Sequence, residues 1–217
     1  MSRTWIALFI GLNLLAIGFS LSADSVKTVL VLGDSLSAGY GLNATQAYPA
    51  LLQRRVDEVG LNFEVVNAGV SGDTSAGGLR RIDWLLRRQI DVLILELGAN
   101  DGLRGIPLES TKANLQKIID KTLQHSPGAR IVIAGMMVPP NLGPIYTDQF
   151  RNLFSELAEE NEAELIPFLL ARVAGRRELN LADGIHPNPE GHRLVAETVW
   201  EVLEPVLRSL DRCRAYT

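Results

Sequence analysis

A chain of 217 residues suffices for one domain with a sizeable core, or at most a tight pair. Hydrophobic residues make up 47% and charged residues 21%, which excludes a disordered chain and a multispan membrane protein. With 21 basic against 25 acidic residues the net charge is −4, and without a long basic block no sequence-independent grip on nucleic-acid phosphates is expected.

Residues 1–23 differ from the rest. One positive charge, Arg3, precedes an almost wholly apolar run over 5–19, and 20–23 are mostly small. That order predicts a secretory signal peptide cut after Ala23, followed by one domain over 24–217. The alternative is an uncleaved anchor, but the run is short for the hydrocarbon core and contains Asn13. No cysteine lies near the cut to carry a lipid.

Beyond residue 24, short apolar runs alternate with helical patterns. Strands are predicted at 27–32 (KTVLVL), 63–66 (FEVV), 91–97 (DVLILEL), 130–134 (RIVIA) and 164–166 (ELI). Between them Leu51, Leu52, Val56 and Val59 share one helical face, closed by Gly60. Leu79, Ile82 and Leu86 share another after a Thr74–Ser75 start. Leu115, Ile118, Ile119 and Leu123 form a third stripe, ended by Pro127–Gly128. Phe150, Leu153, Phe154 and Leu157 form a fourth, opened by Thr147–Asp148. A last helix runs from about Pro189 to Leu210, with a kink expected at Pro205. Strand alternating with helix predicts an α/β fold, a parallel sheet between two helical layers. Ligands on such sheets sit beyond the carboxyl ends of the strands, so the strand-exit loops carry the functional reading.

The first exit, Gly33-Asp34-Ser35-Leu36-Ser37, presents a serine straight after a buried strand. Its hydroxyl needs a base to become a nucleophile; the plain alternative is that Asp34 or Ser35 caps a following helix or turn. The late segment Asp183-Gly184-Ile185-His186-Pro187 supplies such a base, with a carboxylate placed to orient one ring nitrogen and leave the other free. Alone it also reads as a surface turn. A metal site built from Asp183, His186 and His192 lacks a third convincing ligand. The single cysteine, Cys213, permits neither an intrachain disulfide nor a thiolate cluster. Acyl transfer further needs donors for a developing oxyanion. The third exit offers the Asn100 amide in Gly98-Ala99-Asn100-Asp101-Gly102, and the second offers backbone N–H groups across 67–75.

Together these motifs, GDSLSAGYGL (33–42), NAGVSGDTSAGG (67–78), ELGANDGLRG (96–105), VPPNLGPIY (138–146) and DGIHPN (183–188), resemble the SGNH (GDSL) hydrolase superfamily. The similarity covers essentially all of 24–217 and is greatest to the exported bacterial thioesterase, lysophospholipase and arylesterase branch. The resemblance implies a three-layer α/β/α fold with a five-stranded, flavodoxin-like parallel sheet. It implies Ser35 as nucleophile, His186 as base and then acid, and Asp183 as its orienter. The oxyanion hole would be the Ser35 N–H, the Gly72 N–H and the Asn100 amide. Gly69 is the other glycine of that block and stands where relatives often carry serine. No metal or organic cofactor is implied, and the compartment implied is the periplasm or the exterior.

Apolar Leu103 and Ile106, with Leu142, Ile145 and Tyr146 in the proline-rich loop, are candidates for an acyl groove; loop packing explains them equally well. The resemblance points to small-molecule or lipid esters, including aryl esters, thioesters and single-chain phospholipids. The expected enzyme is a monomer without nucleic-acid partners or stable membrane insertion once the signal is removed. Two other functions fit the same residues: a carbohydrate O-deacetylase of the superfamily, or a non-catalytic periplasmic binding domain.

Overall fold

A computed structural model describes residues 25–212. Five strands alternate with helices along it: β1 (Lys27–Gly33), β2 (Phe63–Asn67), β3 (Val92–Glu96), β4 (Arg130–Ala134) and β5 (Glu164–Ile166). All neighbours pair in parallel, in the order β2-β1-β3-β4-β5. The apolar runs map onto these strands because β3 is buried along its whole length and β1 nearly so, as strands covered on both faces must be. The predicted leader, 1–23, and Cys213 lie outside the described residues.

Between the strands lie α1 (Ser35–Ala38), α2 (Tyr48–Glu58), α3 (Ser75–Leu85), α4 (Ala99–Leu103), α5 (Leu108–His125), α6 (Pro144–Glu160) and α7 (Pro189–Arg212). Helix α2 packs against α7, and α3, α5 and α6 pack in series. The predicted stripes supply the buried faces: Leu52 and Val56 on α2, Leu115, Ile118 and Ile119 on α5, and Phe150, Leu153, Phe154 and Leu157 on α6. Each such side chain, fully buried, contributes roughly 1.5–3 kcal/mol. Helix α7 continues through Pro205 to Arg212.

One predicted boundary is corrected. Helix α6 begins at Pro144, before the Thr147–Asp148 signal. Proline at the first helical position has its φ already set and lacks only an N–H that would go unbonded there. The Thr147 hydroxyl instead donates back to the Gly143 and Pro144 carbonyls, at 3.0 and 2.9 Å, inside the first turn. The sequence patterns also missed α1 and α4, which are too short to show a periodicity.

The strand order reverses at β1, so β1 and β3 diverge into helices on either side of a crevice. In register, Gly33 on β1 pairs with Glu96 on β3, and Val31 pairs with Asn67 on β2. The exits that carry Ser35, the 67–75 loop and Asn100 therefore open at one edge of the sheet.

Candidate active site

Ser35 opens α1 directly after β1, and Asp34 caps that helix by accepting the Leu36 N–H on its side chain at 3.0 Å. Gly39 ends the helix at φ +73, a left-handed conformation that suits glycine. The short helix thus stands Ser35, half-buried, at the carboxyl edge of the sheet.

The Asp183–His186 segment reaches the same edge from the other end of the chain. Gly184 turns at φ +71, Leu181 N–H donates to the His186 carbonyl at 2.7 Å, and Asn180 bridges Pro187. These bonds fold the segment into a tight loop whose imidazole meets Ser35. His186 Nε2 is 3.0 Å from Ser35 Oγ, and Nδ1 is 2.8 Å from Asp183 Oδ2. Asp183 Oδ1 accepts the N–H groups of Ile185 and His186 at 2.9 and 3.0 Å. Those backbone bonds, the His186 one foremost and then the imidazole itself, draw the Asp183 carboxyl down to about 2. It is therefore an anion at any working pH, bonded to the imidazole face opposite Ser35.

The donor groups surround Ser35 with different degrees of readiness. The N–H groups of Ser35 and Gly72 make no hydrogen bond within the described residues. Gly69, the other glycine of the block, is differently placed. Its N–H donates to Asn67 Oδ1 at 2.9 Å, and a Cβ on it would lie 2.4 Å from the Ala38 nitrogen. Gly72 sits at φ +78 with its carbonyl held by Arg104 Nη2 at 2.9 Å. The Asn100 amide lies in place, but its nitrogen already donates to Asp34 Oδ2 and to the Asp73 carbonyl, each at 2.9 Å.

Three residues that the sequence analysis passed over hold this arrangement. Arg81 donates to the carbonyls of Gly33 and Ala68 and to Asp73, stitching the end of β1 to the donor loop. Buried Asp101 accepts Ser75 N–H at 2.8 Å and its hydroxyl at 2.5 Å, fixing the start of α3 beside α4. Tyr40 lays its ring 4.4 Å from that of His186. Tyr40 and Asp101 could have been signalled by their place inside the motifs, whereas Arg81 lies outside them.

Of the apolar candidates, Leu103, Leu142 and Ile145 are exposed, Ile145 at 76%. Ile106 and Tyr146 are half-buried, and the Tyr146 hydroxyl bonds the Gly102 carbonyl at 3.4 Å, tying the two loops together. Tyr40, Val70 and Ile185, close in the chain to Ser35, Gly72 and His186, are exposed as well. His192 stands apart from the site: it is buried on α7 with Nδ1 accepting the Tyr48 N–H at 3.1 Å, which commits it to packing.

Residues 31–194 match the model of the GDSL-like lipase/acylhydrolase family. The chain belongs to that family. It is 42% identical to an arylesterase of Vibrio mimicus over 192 residues, covering 87% of this chain and 95% of the relative. It is 37% identical to thioesterase 1/protease 1/lysophospholipase L1 of Escherichia coli K12, covering 85% of this chain and 87% of the relative. The crystal structure of TesA superimposes with a TM-score of 0.79 at 40% identity, covering 83% of this chain and 99% of that one. This GDSL hydrolase is accordingly a carboxylic ester hydrolase. Its α/β/α architecture, with five parallel strands, is the SGNH hydrolase fold expected from the motifs.

Proposed function

We propose that Ser35, His186 and Asp183 carry out two-step acyl transfer on esters and acyl thioesters. His186 Nε2 takes the Ser35 proton as Oγ attacks the carbonyl carbon. The oxyanion is held by the N–H groups of Ser35 and Gly72, and by the Asn100 amide once one of its two bonds opens toward the substrate. Collapse expels the alcohol or thiol, which leaves with the proton held on His186. Water then repeats the attack on the acyl-enzyme and releases the acid. The observation that carries this mechanism is the unbroken chain Asp183–His186–Ser35, with links of 2.8 and 3.0 Å. Nucleophile, base and donors form a complete acyl-transfer set, so no cofactor is proposed.

The substrates proposed are aryl esters, acyl thioesters and single-chain lipid esters. The exposed apolar side chains of Leu103, Leu142 and Ile145, on segments that follow strand exits, support an apolar acyl chain, and the relatives' names point the same way. We further propose that the enzyme is a monomer exported to the periplasm or beyond, on the leader pattern of residues 1–23. Among the described residues no helix is long and apolar enough to cross a membrane.

The test is a panel of p-nitrophenyl butyrate, palmitoyl-CoA, a lysophosphatidylcholine and acetylated xylan, with Ser35→Ala as control. Turnover of the first three that the variant lacks is expected. Turnover of acetylated xylan alone would replace this substrate class with carbohydrate deacetylation.

A further inference from the structure

Beneath the nucleophile lies a carboxyl group that the acyl-transfer steps do not use. Glu96 ends β3 and is fully buried. Its Oε2 accepts the Asp34 N–H at 3.1 Å and lies 2.5 Å from the Ser37 hydroxyl, which in turn meets the Tyr48 hydroxyl at 2.8 Å. Gly33, its partner across the ladder, makes the room. A Cβ there would come within 2.2 Å of Oε2 and 2.1 Å of Ser37 Oγ. The second oxygen, Oε1, is the buried side-chain polar atom left without a hydrogen-bond partner among the described residues.

A buried carboxylate with an idle oxygen is poorly compensated; a neutral acid in the same place carries no charge and gains a donor. The groups around it favour the acid. Asp34, 1% exposed, is a second carboxyl at the same spot, and Tyr48 is neutral and fully buried. The nearby cation, Arg81, spends its guanidinium on Asp73 and on the Ala68 and Gly33 carbonyls. His192 reaches the cluster through Tyr48, by its N–H and a stacked ring, and His186 acts on Asp34 through space. Burial, and then the Asp34 charge, push the Glu96 carboxyl well above the usual range. The bond in place between them runs from the Asp34 N–H to Glu96 Oε2, and burial raises the Asp34 carboxyl as well.

We propose that Glu96 is a positioning residue: as a neutral acid that accepts the Asp34 N–H it holds Asp34 in place, and Asp34 in turn fixes both the Ser35 turn and the Asn100 amide. The inference rests on the roles proposed above for Ser35 and Asn100. Asp34 is the hinge of the arrangement because its two oxygens serve different partners, Leu36 N–H on Oδ1 and Asn100 on Oδ2. Were Glu96 to ionise, two buried like charges would face each other and the Asn100 acceptor would be lost with the displacement of Asp34.

The test compares wild type, Glu96→Gln, Glu96→Leu, Asn100→Ala and the Glu96→Leu/Asn100→Ala double variant, by p-nitrophenyl butyrate kinetics and by urea melts from pH 4.5 to 8. Glutamine keeps, without a charge, an acceptor for the Asp34 N–H and for the Ser37 hydroxyl, so kcat should stay within about threefold. Leucine keeps neither, so kcat should fall on the order of tenfold or more with KM little changed. The double variant should be slower than Asn100→Ala by less than the Glu96→Leu factor alone, because part of that factor acts through the Asn100 amide. A raised native pKa means the folded state binds the extra proton, so this group's contribution falls as pH rises. The stability gained by Glu96→Gln over wild type should therefore grow from pH 4.5 to 8. A Gln variant as impaired as the Leu variant, an additive double variant, or a gain that does not grow with pH would each overturn the proposal. If the Leu variant does not fold, the Gln kinetics and the melts decide. Wild-type turnover that Ser35→Ala abolishes keeps the Ser35 reading in place whatever Glu96 does.

Discussion

His186 lies in the loop leading into α7, and His192 lies in that helix's first turn. The first is partly exposed and bonded on both ring nitrogens, to Asp183 and to Ser35. The second is buried, and its Nδ1 takes the Tyr48 N–H. One imidazole sits where a proton can be moved and the other where a proton is unwelcome, since burial brings His192 down to about 4. The same contrast runs through the site as a whole. Its floor, built on Asp34, Ser37, Tyr48 and Glu96, is buried and fully bonded except at one oxygen. The apolar candidates Leu103, Leu142 and Ile145, with Ile185, are exposed. The proposed chemistry belongs to the floor and the loop, and the proposed choice of substrate to this rim.

The sharpest break of this contrast is at the reacting groups. Ser35→Ala and His186→Ala should each lower kcat by about 10⁴-fold or more on p-nitrophenyl butyrate. His192→Gln should leave kcat within an order of magnitude, since Gln can still accept the Tyr48 N–H. Comparable losses at both histidines would erase the distinction drawn between them. Next in size is Asn100→Ala, expected to reduce kcat about 10²–10³-fold. An unchanged kcat would mean that the amide never leaves Asp34 and Asp73 for the substrate, and that Ser35 and Gly72 alone form the hole.

His192 also gives a pH prediction. Its native pKa of about 4 lies below the usual 6.5, so the folded state binds fewer protons than the unfolded one between those values. The contribution is complete above pH 6.5 and is lost as pH falls toward 4, on the order of 3 kcal/mol at most. Urea melts at pH 7 and pH 4.5 should show wild type losing more stability than His192→Gln; equal losses would show that another group sets the acid limb. The smallest effects belong to the rim. Leu142→Ala or Ile145→Ala should leave butyrate turnover nearly unchanged and lower kcat/KM for decanoyl over butyryl esters by about tenfold or less. An equal drop on both chain lengths would make these residues part of the scaffold.

The strands and the triad were legible in the sequence for different reasons. Buried parallel strands leave continuous apolar runs such as KTVLVL, and β1 needed only the pattern. Ser35, Asp183 and His186 were legible because their motifs are specific, and the structure brings them within hydrogen-bond reach. Choosing Gly72 over Gly69 rested on alignment alone; the structure shows Gly69 pressed on the Ala38 backbone with its N–H spent. What the sequence concealed are links across distance. Arg81 reads as a polar position on a helix, yet its guanidinium ends on Gly33 in another strand. Glu96 reads as the edge of an apolar run, and its burial follows only from the helices that cover β3 and from the space that Gly33 leaves. No periodicity encodes such pairs, because they depend on which strand exits become neighbours.

The central claim is that Ser35, activated by His186, carries the acyl group. Intact mass after treatment with a fluorophosphonate probe, read beside p-nitrophenyl butyrate turnover, tests it most directly on the purified enzyme and Ser35→Ala. One adduct and turnover in the wild type, both absent in the variant, is the result predicted. An adduct or turnover that survives in Ser35→Ala would contradict the assignment and place the nucleophile elsewhere.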